Sequence, residues 1–114
     1  MKILFVCTGN IARSPTAEEV LRLMTNGTHQ ARSAGISASA VRPISEEDVC
    51  WADLVAVMEH EHRNFILQRW PEAEPKLRVL GIPDRYPPRD PLLIHLLELK
   101  LGGLVADAGR GSEA

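Results

Sequence analysis

Cys7 and Arg13 are the residues near the start of the chain whose types and spacing suggest chemistry. Five residues separate them, and Ser14 follows the arginine directly. A cysteine thiolate is a strong nucleophile, and a guanidinium binds two phosphate oxygens through a planar fork. A bare spacing of this kind also arises by chance, and an isolated cysteine beside apolar residues is often a small core residue. The surrounding sequence favours the functional interpretation.

The segment from Cys7 to Pro15 has the composition of an oxyanion-binding loop. It follows an apolar run and leads through Ser-Pro into a helical pattern, which places it between a strand and a helix N-terminus. Backbone N–H groups in such a loop bind phosphate, and their positive field favours the thiolate form of the cysteine. Glycine and asparagine tolerate the left-handed backbone that a tight loop needs. The predicted phosphate contacts come from Thr8, Gly9, Asn10, Ile11 and Ala12.

Apolar runs and helical patterns alternate along the chain. Strands are predicted at residues 2–6, within 31–39, at 53–58 and at 76–82. Helices are predicted from Pro15 to residue 24, at 44–51 with Ser45 as N-cap, at 60–70, and at 92–101, where Gly102-Gly103 ends the last one. This alternation predicts a single α/β domain over residues 1–103 with a mostly parallel sheet, followed by a flexible tail over 104–114. Ligands of such sheets bind at the carboxyl ends of the strands, where the loop begins.

Composition narrows the class of protein. The 114 residues include 13 Lys+Arg and 15 Asp+Glu, giving a formal net charge of −2. A near-neutral chain without runs of like charge predicts neither nucleic-acid nor membrane partners. The early apolar run at residues 3–6 is too short for a signal peptide or a membrane span, and a cytoplasmic location is expected. Two cysteines are too few for a disulfide framework, and without metal-ligand spacing or a nucleotide fingerprint we expect no metal and no cofactor.

The first part of the chain resembles the low-molecular-weight protein tyrosine phosphatases. Their signature V-C-x-G-N-x-C-R-S-P-x-A-E is matched by residues 6–18, and Ser33-Ala34-Gly35, residues 52–58 and the Ile82–Tyr86 segment are similar to later family patterns. The resemblance implies a four-stranded parallel sheet flanked by helices and a metal-independent phosphomonoesterase. Its substrate would be a phosphotyrosyl protein or a small aryl phosphate. The chain departs from the family in being shorter than typical members and in having Ala12 where the family has a second cysteine.

Asp84 and Asp90 are the candidates for the general acid. A cysteinyl-phosphate route needs a group that protonates the leaving oxygen and then activates water, and one carboxylate can do both. Asp84 follows the fourth predicted strand and matches the Pro-Asp-x-Tyr part of the family pattern, so we favour it. Asp90 matches the family's Asp-Pro pair, but it is also explained as the N-cap of the last helix.

Several other residues have a functional and a structural interpretation. Ser14 can donate a hydrogen bond to the Cys7 sulfur or cap the helix, and Tyr86 can flank an aromatic substrate ring or simply pack. Cys50 is interpreted as a buried small apolar residue. His60 and His62 lie two positions apart, so they point in different directions on a helix and form no ligand pair.

Two other functions use the same loop. An arsenate reductase would need further thiols to carry electrons, and Cys50 is the only other cysteine. A non-catalytic module that binds phosphate or phosphoproteins is disfavoured, because a nucleophile, an arginine and at least one acid are all present. The sequence makes no prediction of oligomeric state.

Overall fold

The computed structural model describes the backbone of residues 1–113 and the side chains of residues 1–106. Its four strands are β1 (Lys2–Cys7), β2 (Gln30–Gly35), β3 (Leu54–Val57) and β4 (Leu77–Val79). Its helices are α1 (Arg13–Thr25), α2 (Glu46–Trp51), α3 (His60–Arg69) and α4 (Pro91–Glu113), with a 3₁₀ turn at Pro71–Lys76.

The strands form one parallel sheet in the order β2-β1-β3-β4. Strand β1 therefore lies inside the sheet, with Cys7 in register with Gly35 of β2 and Val6 in register with Val57 of β3. The chain leaves β1 toward β2 on one side and later returns to β3 on the other. The carboxyl end of β1 is therefore the point where the strand order reverses, which is where open α/β sheets bind ligands. The predicted α/β domain with a four-stranded parallel sheet is confirmed.

Alternation along β1 divides the core into two layers. Ile3, Phe5 and Cys7 are buried in a layer with residues of α1 and α4, whereas Leu4 and Val6 are buried in the opposite layer with residues of α2 and α3. Because both faces of β1 are covered, neither face needs polar side chains. Apolar residues therefore do not alternate with polar ones in this strand. The thiol of Cys7 consequently faces the side of the sheet on which α1 begins.

The helix boundaries follow local capping. Ser45 is the N-cap of α2, as predicted, and its hydroxyl accepts a hydrogen bond from the Asp48 N–H at 3.3 Å. Asp90 precedes α4, and its carboxylate accepts a hydrogen bond from the Leu92 N–H at 2.8 Å. Each side chain satisfies an N–H group that has no partner within the helix.

The last helix is longer than predicted. The expected end at Gly102-Gly103 is wrong, because α4 continues through both glycines to Glu113. Leu104 is buried in the core just beyond the glycines, and packing offsets the low helix propensity of glycine. The predicted domain, residues 1–103, and the predicted flexible tail, residues 104–114, stay predictions.

Two further sequence expectations need correction. Cys50 is exposed on α2, so its interpretation as a buried core residue is wrong. Strand β4 is shorter than the predicted 76–82, because Lys76 belongs to the 3₁₀ turn and only residues 77–79 pair with β3. Among the described residues, no helix is both long enough and apolar enough to span a membrane.

Candidate active site

The loop after β1 is held by hydrogen bonds to its carbonyl groups. The N–H groups of Ile36, Ser37 and Val41 donate to the carbonyl oxygens of residues 7, 8 and 9 at 3.0, 3.0 and 3.1 Å. All three donors belong to the segment between β2 and α2. Because these carbonyls point outward to that segment, the N–H groups that follow them are free to turn inward, as an oxyanion cradle requires.

Gly35 permits the close approach of that segment. A Cβ atom at this position would lie 2.5 Å from the Thr8 carbonyl oxygen and 3.0 Å from the Asn10 nitrogen, both of which are backbone atoms of the loop. Only a residue without a side chain fits there. The Ser33-Ala34-Gly35 similarity noted in the sequence therefore has a packing reason at its last residue.

Cys7 lies at the centre of a small hydrogen-bond network. Its sulfur is 3.0 Å from the Ser14 hydroxyl and accepts a hydrogen bond from the Asn10 N–H at 3.3 Å. The Asn10 side-chain amide donates to the same hydroxyl at 2.9 Å, and Asn10 adopts a left-handed φ of 54°. The Ser14 hydroxyl, which accepts from this amide, has two acceptors within reach of its own proton: the Cys7 sulfur at 3.0 Å and the Ala34 carbonyl oxygen at 3.4 Å. The structure thus brings together the predicted nucleophile, the predicted serine donor and the residue that braces them.

Arg13 is the first residue of α1 and is buried at 2% exposure. One of its amino groups, Nη1, donates to the carbonyl oxygen of Ile82 at 2.9 Å and to the carboxylate of Glu59. Its other amino group, Nη2, lies 3.9 Å from the Asp84 carboxylate. These contacts hold the planar guanidinium in place, and Arg13 lines the cavity that the loop also lines.

Glu59 and His62 were missed as functional residues by the sequence reasoning. They lie at the start of α3, directly after β3 and beside the loop. The Nδ1 atom of His62 accepts a hydrogen bond from the Glu59 N–H at 3.0 Å, and its Nε2 atom lies 3.0 Å from the Thr8 hydroxyl. The signal in the sequence was a Glu-x-x-His pattern that starts a helix at the carboxyl end of a buried strand.

The charge state of His62 follows from its surroundings. Burial, and next the positive charge of Arg13, lower its pKa to about 4, although Glu59 and Asp84 act in the opposite direction. Desolvation disfavours the charged imidazolium, and a nearby cation adds repulsion. His62 is therefore neutral at physiological pH.

A cavity of about 380 Å³ opens above the loop. Its lining includes Cys7, Arg13, Asp84 and Tyr86, and the other lining residues are Thr8, Gly9, Ile11, Ala12 and Pro88. Nine residues from the loop and from the chain after β4 thus surround a space large enough for a phosphate ester. Asn10 and Ser14 are buried and do not line the cavity.

The two candidate acids are placed differently. Asp84 is exposed at the cavity, whereas Asp90 does not line it and instead caps α4. Cys50 does not line the cavity either. Tyr86 packs partly against the core and also lines the cavity, so its position agrees with both the packing and the substrate-flanking interpretation.

Glu59, Glu61 and His62 form a group of possible metal donors within 4.8 Å of one another. Two of the three residues already have other partners: Glu59 pairs with Arg13, and both ring nitrogens of His62 are hydrogen bonded. A cation there would compete with the buried guanidinium. The arrangement is thus better explained as support for the loop than as a metal site.

A cysteine, a buried arginine and a carboxylate around one cavity are the groups that a cysteine-dependent phosphatase site needs. A family model described as low molecular weight phosphotyrosine protein phosphatase matches residues 2–45. The chain belongs to the low-molecular-weight protein tyrosine phosphatase family. Family membership implies hydrolase activity on phosphate esters or related phosphate compounds.

Named relatives fall into two substrate groups. The chain is 33% identical to the protein-arginine-phosphatase of Bacillus subtilis, with 70% of each chain aligned. It is 36% identical to the low molecular weight protein-tyrosine-phosphatase PtpB of Staphylococcus aureus, covering 70% of this chain and 54% of that protein. The chain thus spans between 54% and 70% of the length of the curated relatives it matches.

A solved structure matches the fold closely. The tyrosine phosphatase Wzb from Escherichia coli K30, determined in complex with phosphate, superposes with a TM-score of 0.76 and 28% identity. The match covers 93% of this chain and 96% of that one. The predicted family and the predicted enzyme class are confirmed. The roles of the individual site residues stay proposals.

Proposed function

We propose that the protein hydrolyses phosphotyrosine or another aryl phosphate monoester through a cysteinyl-phosphate intermediate. The observation that carries this proposal is the convergence of Cys7, Arg13 and Asp84 on one cavity. The similar Wzb structure was determined in complex with phosphate, which supports phosphate as a ligand for this fold.

In the first step, the phosphoryl group binds in the loop and Cys7 attacks it. Inward-turned N–H groups and the Arg13 fork neutralise the oxygens of the phosphoryl group, where charge is distributed in the transition state. A bond forms between sulfur and phosphorus while the bond between phosphorus and the leaving oxygen breaks. Asp84, at the rim of the cavity, gives its proton to that oxygen.

In the second step, water hydrolyses the cysteinyl phosphate. Asp84, now ionised, takes a proton from the attacking water, and the phosphorus–sulfur bond breaks to release inorganic phosphate. The Ser14 hydroxyl, 3.0 Å from the sulfur, donates to the departing thiolate and lowers the cost of its charge. Asn10 holds that hydroxyl in place through its amide.

The apolar part of the cavity favours an aryl leaving group. Ile11 is 64% exposed at the rim, and Tyr86 and Pro88 line the cavity near it. An aromatic ring can bury apolar surface between such side chains. These residues supply no charge complementary to a cationic leaving group.

Phosphoarginine is the second candidate substrate. It is favoured by the similarity to the Bacillus subtilis protein-arginine-phosphatase and by Asp84, whose exposed carboxylate at the rim attracts a guanidinium. The two candidates are separated by comparing kcat/KM on a phosphotyrosine peptide with kcat/KM on the same peptide carrying phosphoarginine. A higher value with phosphotyrosine supports the first candidate, and the reverse supports the second.

The central test compares Cys7→Ser with Cys50→Ala. We expect Cys7→Ser to lower kcat on an aryl phosphate by more than about a thousandfold, because the nucleophile is lost. The exposed Cys50 is the matched control, and its removal should leave kcat unchanged. Equal activity of wild-type protein and Cys7→Ser would refute the mechanism. Arsenate reduction by the wild-type protein that is lost in Cys50→Ala would instead favour a thiol-dependent reductase.

A further inference from the structure

His62 is a buried histidine that the proposed reaction does not use directly. Its side chain has 0% exposure, and it lies at the third position of α3. It contacts Thr8, the residue that follows the nucleophile in the loop. Buried polar groups are costly unless they are hydrogen bonded, and here both ring nitrogens have partners.

The partners of His62 determine which ring nitrogen carries the proton. The Glu59 N–H can only donate, so Nδ1 must be an unprotonated acceptor. In a neutral ring the proton is then on Nε2, which donates to the Thr8 hydroxyl oxygen. The charged groups around the ring are Arg13, Glu59, Glu61 and Asp84, and Glu61 lies 3.7 Å from Nε2.

This tautomer determines what the Thr8 hydroxyl can do. Since its oxygen accepts from His62, its own proton does not go to the ring. Among the described residues, His62 is the only side-chain hydrogen-bond partner of this hydroxyl. Thr8 also lines the cavity above the loop. The hydroxyl is therefore kept as a donor next to the space in which the phosphorylated substrate would bind.

We propose that His62 is a positioning residue that holds the Thr8 hydroxyl as a hydrogen-bond donor to the phosphorylated substrate. The inference rests on the proposed function, because it assumes that the loop binds the phosphoryl group. Thr8 touches the substrate, and His62 acts only through Thr8. Glu59 completes the arrangement from two sides, since its N–H fixes the ring and its carboxylate fixes Arg13.

Two substitutions of His62 separate its two hydrogen bonds. In His62→Asn the side-chain oxygen can replace Nδ1 as the acceptor for the Glu59 N–H, but no donor reaches Thr8. In His62→Gln the amide nitrogen can replace Nε2 as the donor to Thr8, but the acceptor for Glu59 is lost. Thr8→Val removes the hydroxyl while keeping the shape of the side chain.

Phosphate affinity is measured as the inhibition constant and as the dissociation constant of inorganic phosphate detected by NMR. Catalysis is measured as KM and kcat on an aryl phosphate, and the stability of each variant as its melting temperature. We expect Thr8→Val and His62→Asn each to weaken phosphate binding by about tenfold, the effect of one hydrogen bond to a charged group. The double variant should be no weaker than either single variant. His62→Gln should keep most of the phosphate affinity although its melting temperature falls.

The inference is overturned if His62→Asn binds phosphate as wild-type protein does, or if the losses in the double variant multiply. The first result, with a lower melting temperature, would assign His62 a structural role only. If wild-type protein hydrolyses aryl phosphates in either case, the proposed function survives. If wild-type protein neither binds phosphate nor hydrolyses the ester, the proposed function and the inference both fail.

Discussion

At the scale of single residues, the proposed site combines a buried, hydrogen-bonded group with an exposed one. Arg13 is buried and held by Glu59 and Ile82, whereas Asp84 is exposed at the cavity rim. A phosphate-binding group gains from preorganisation, because its geometry need not change during the reaction. A group that first gives and later takes a proton must reach both a leaving oxygen and a water, and an exposed position allows that.

Asp84 and Asp90 can be distinguished by substitution. Asp84→Asn should lower kcat on phenyl phosphate by about a hundredfold or more, and less on an ester with a better leaving group, because general acid catalysis is lost. Asp90→Asn, the matched control, removes a charge at the α4 cap and should leave kcat nearly unchanged. Steady-state kinetics on both esters measures this. A larger loss in Asp90→Asn would reverse the assignment.

Ala12 predicts how the enzyme responds to peroxide. Family members with two cysteines in the loop can protect an oxidised nucleophile as a local disulfide, but this loop contains Cys7 alone. We expect prolonged peroxide to convert Cys7 to sulfinic or sulfonic acid, and the lost activity should not return with a thiol reductant. Mass spectrometry of the Cys7 peptide measures the product.

The matched variant for the peroxide experiment is Ala12→Cys. It restores a second thiol to the loop, and we expect a thiol reductant to recover more of its activity than in the wild-type protein. Full recovery of the wild-type protein after the same treatment would contradict the prediction.

At the scale of elements, the segment between β2 and α2 supports the loop after β1. Three N–H groups of that segment hold three loop carbonyls, and Gly35 makes the approach possible. The helix that follows the loop begins at Arg13 without a side-chain cap, and no acidic residue occupies its first turn. Its N-terminal N–H groups and positive end are therefore available to an anion rather than neutralised by the protein itself.

Gly35→Ala tests this support. The new methyl group would overlap the Thr8 carbonyl, so we expect kcat/KM to fall by tenfold or more and the free energy of unfolding to fall by about 1 to 3 kcal/mol. Gly102→Ala is the control, since its added methyl group meets nothing within 4 Å in α4. It should leave kcat/KM unchanged and raise stability by up to about 1 kcal/mol. Wild-type kcat/KM in Gly35→Ala would show that the contact is not needed.

At the scale of the whole molecule, the proposed anion site belongs to a chain that is nearly neutral overall. The net charge is −2, so attraction of phosphate comes from one loop, one helix end and Arg13. His62 links the site to the stability of the fold, because its side chain is buried and also contacts the loop.

The burial of His62 predicts that the free energy of unfolding depends on pH. The pKa of His62 is about 4 in the folded protein and about 6.5 when the chain is unfolded, so the unfolded state binds the extra proton between these values. The free energy of unfolding should therefore fall as the pH drops from about 6.5 to about 4. The fall is at most about 1.4 kcal/mol for each unit by which the folded and unfolded pKa values differ. Thermal melts across this range measure the slope. His62→Asn should have a shallower slope, and an equal slope in both proteins would contradict the assignment.

Local patterns were sufficient to predict the framework of the site. The apolar run of β1, the Gly-Asn pair and the Ser-Pro helix start placed Cys7 and Arg13 on a loop between a strand and a helix, because each signal acts over a few neighbouring residues. The positions at which helices end were harder to predict from the sequence. The glycine pair in α4 did not end the helix, since burial of Leu104 beyond it depends on residues distant in sequence.

The sequence by itself thus determined the residue types and position of the loop and the alternation of strands and helices. The tertiary structure alone decided which residues complete the site: Asp84 rather than Asp90 at the cavity, Glu59 on Arg13, His62 on Thr8, and Cys50 exposed. The physical reason is separation along the chain. Glu59 and His62 follow β3, and only the pairing of β3 with β1 brings the start of α3 against a loop that is some fifty residues earlier in sequence.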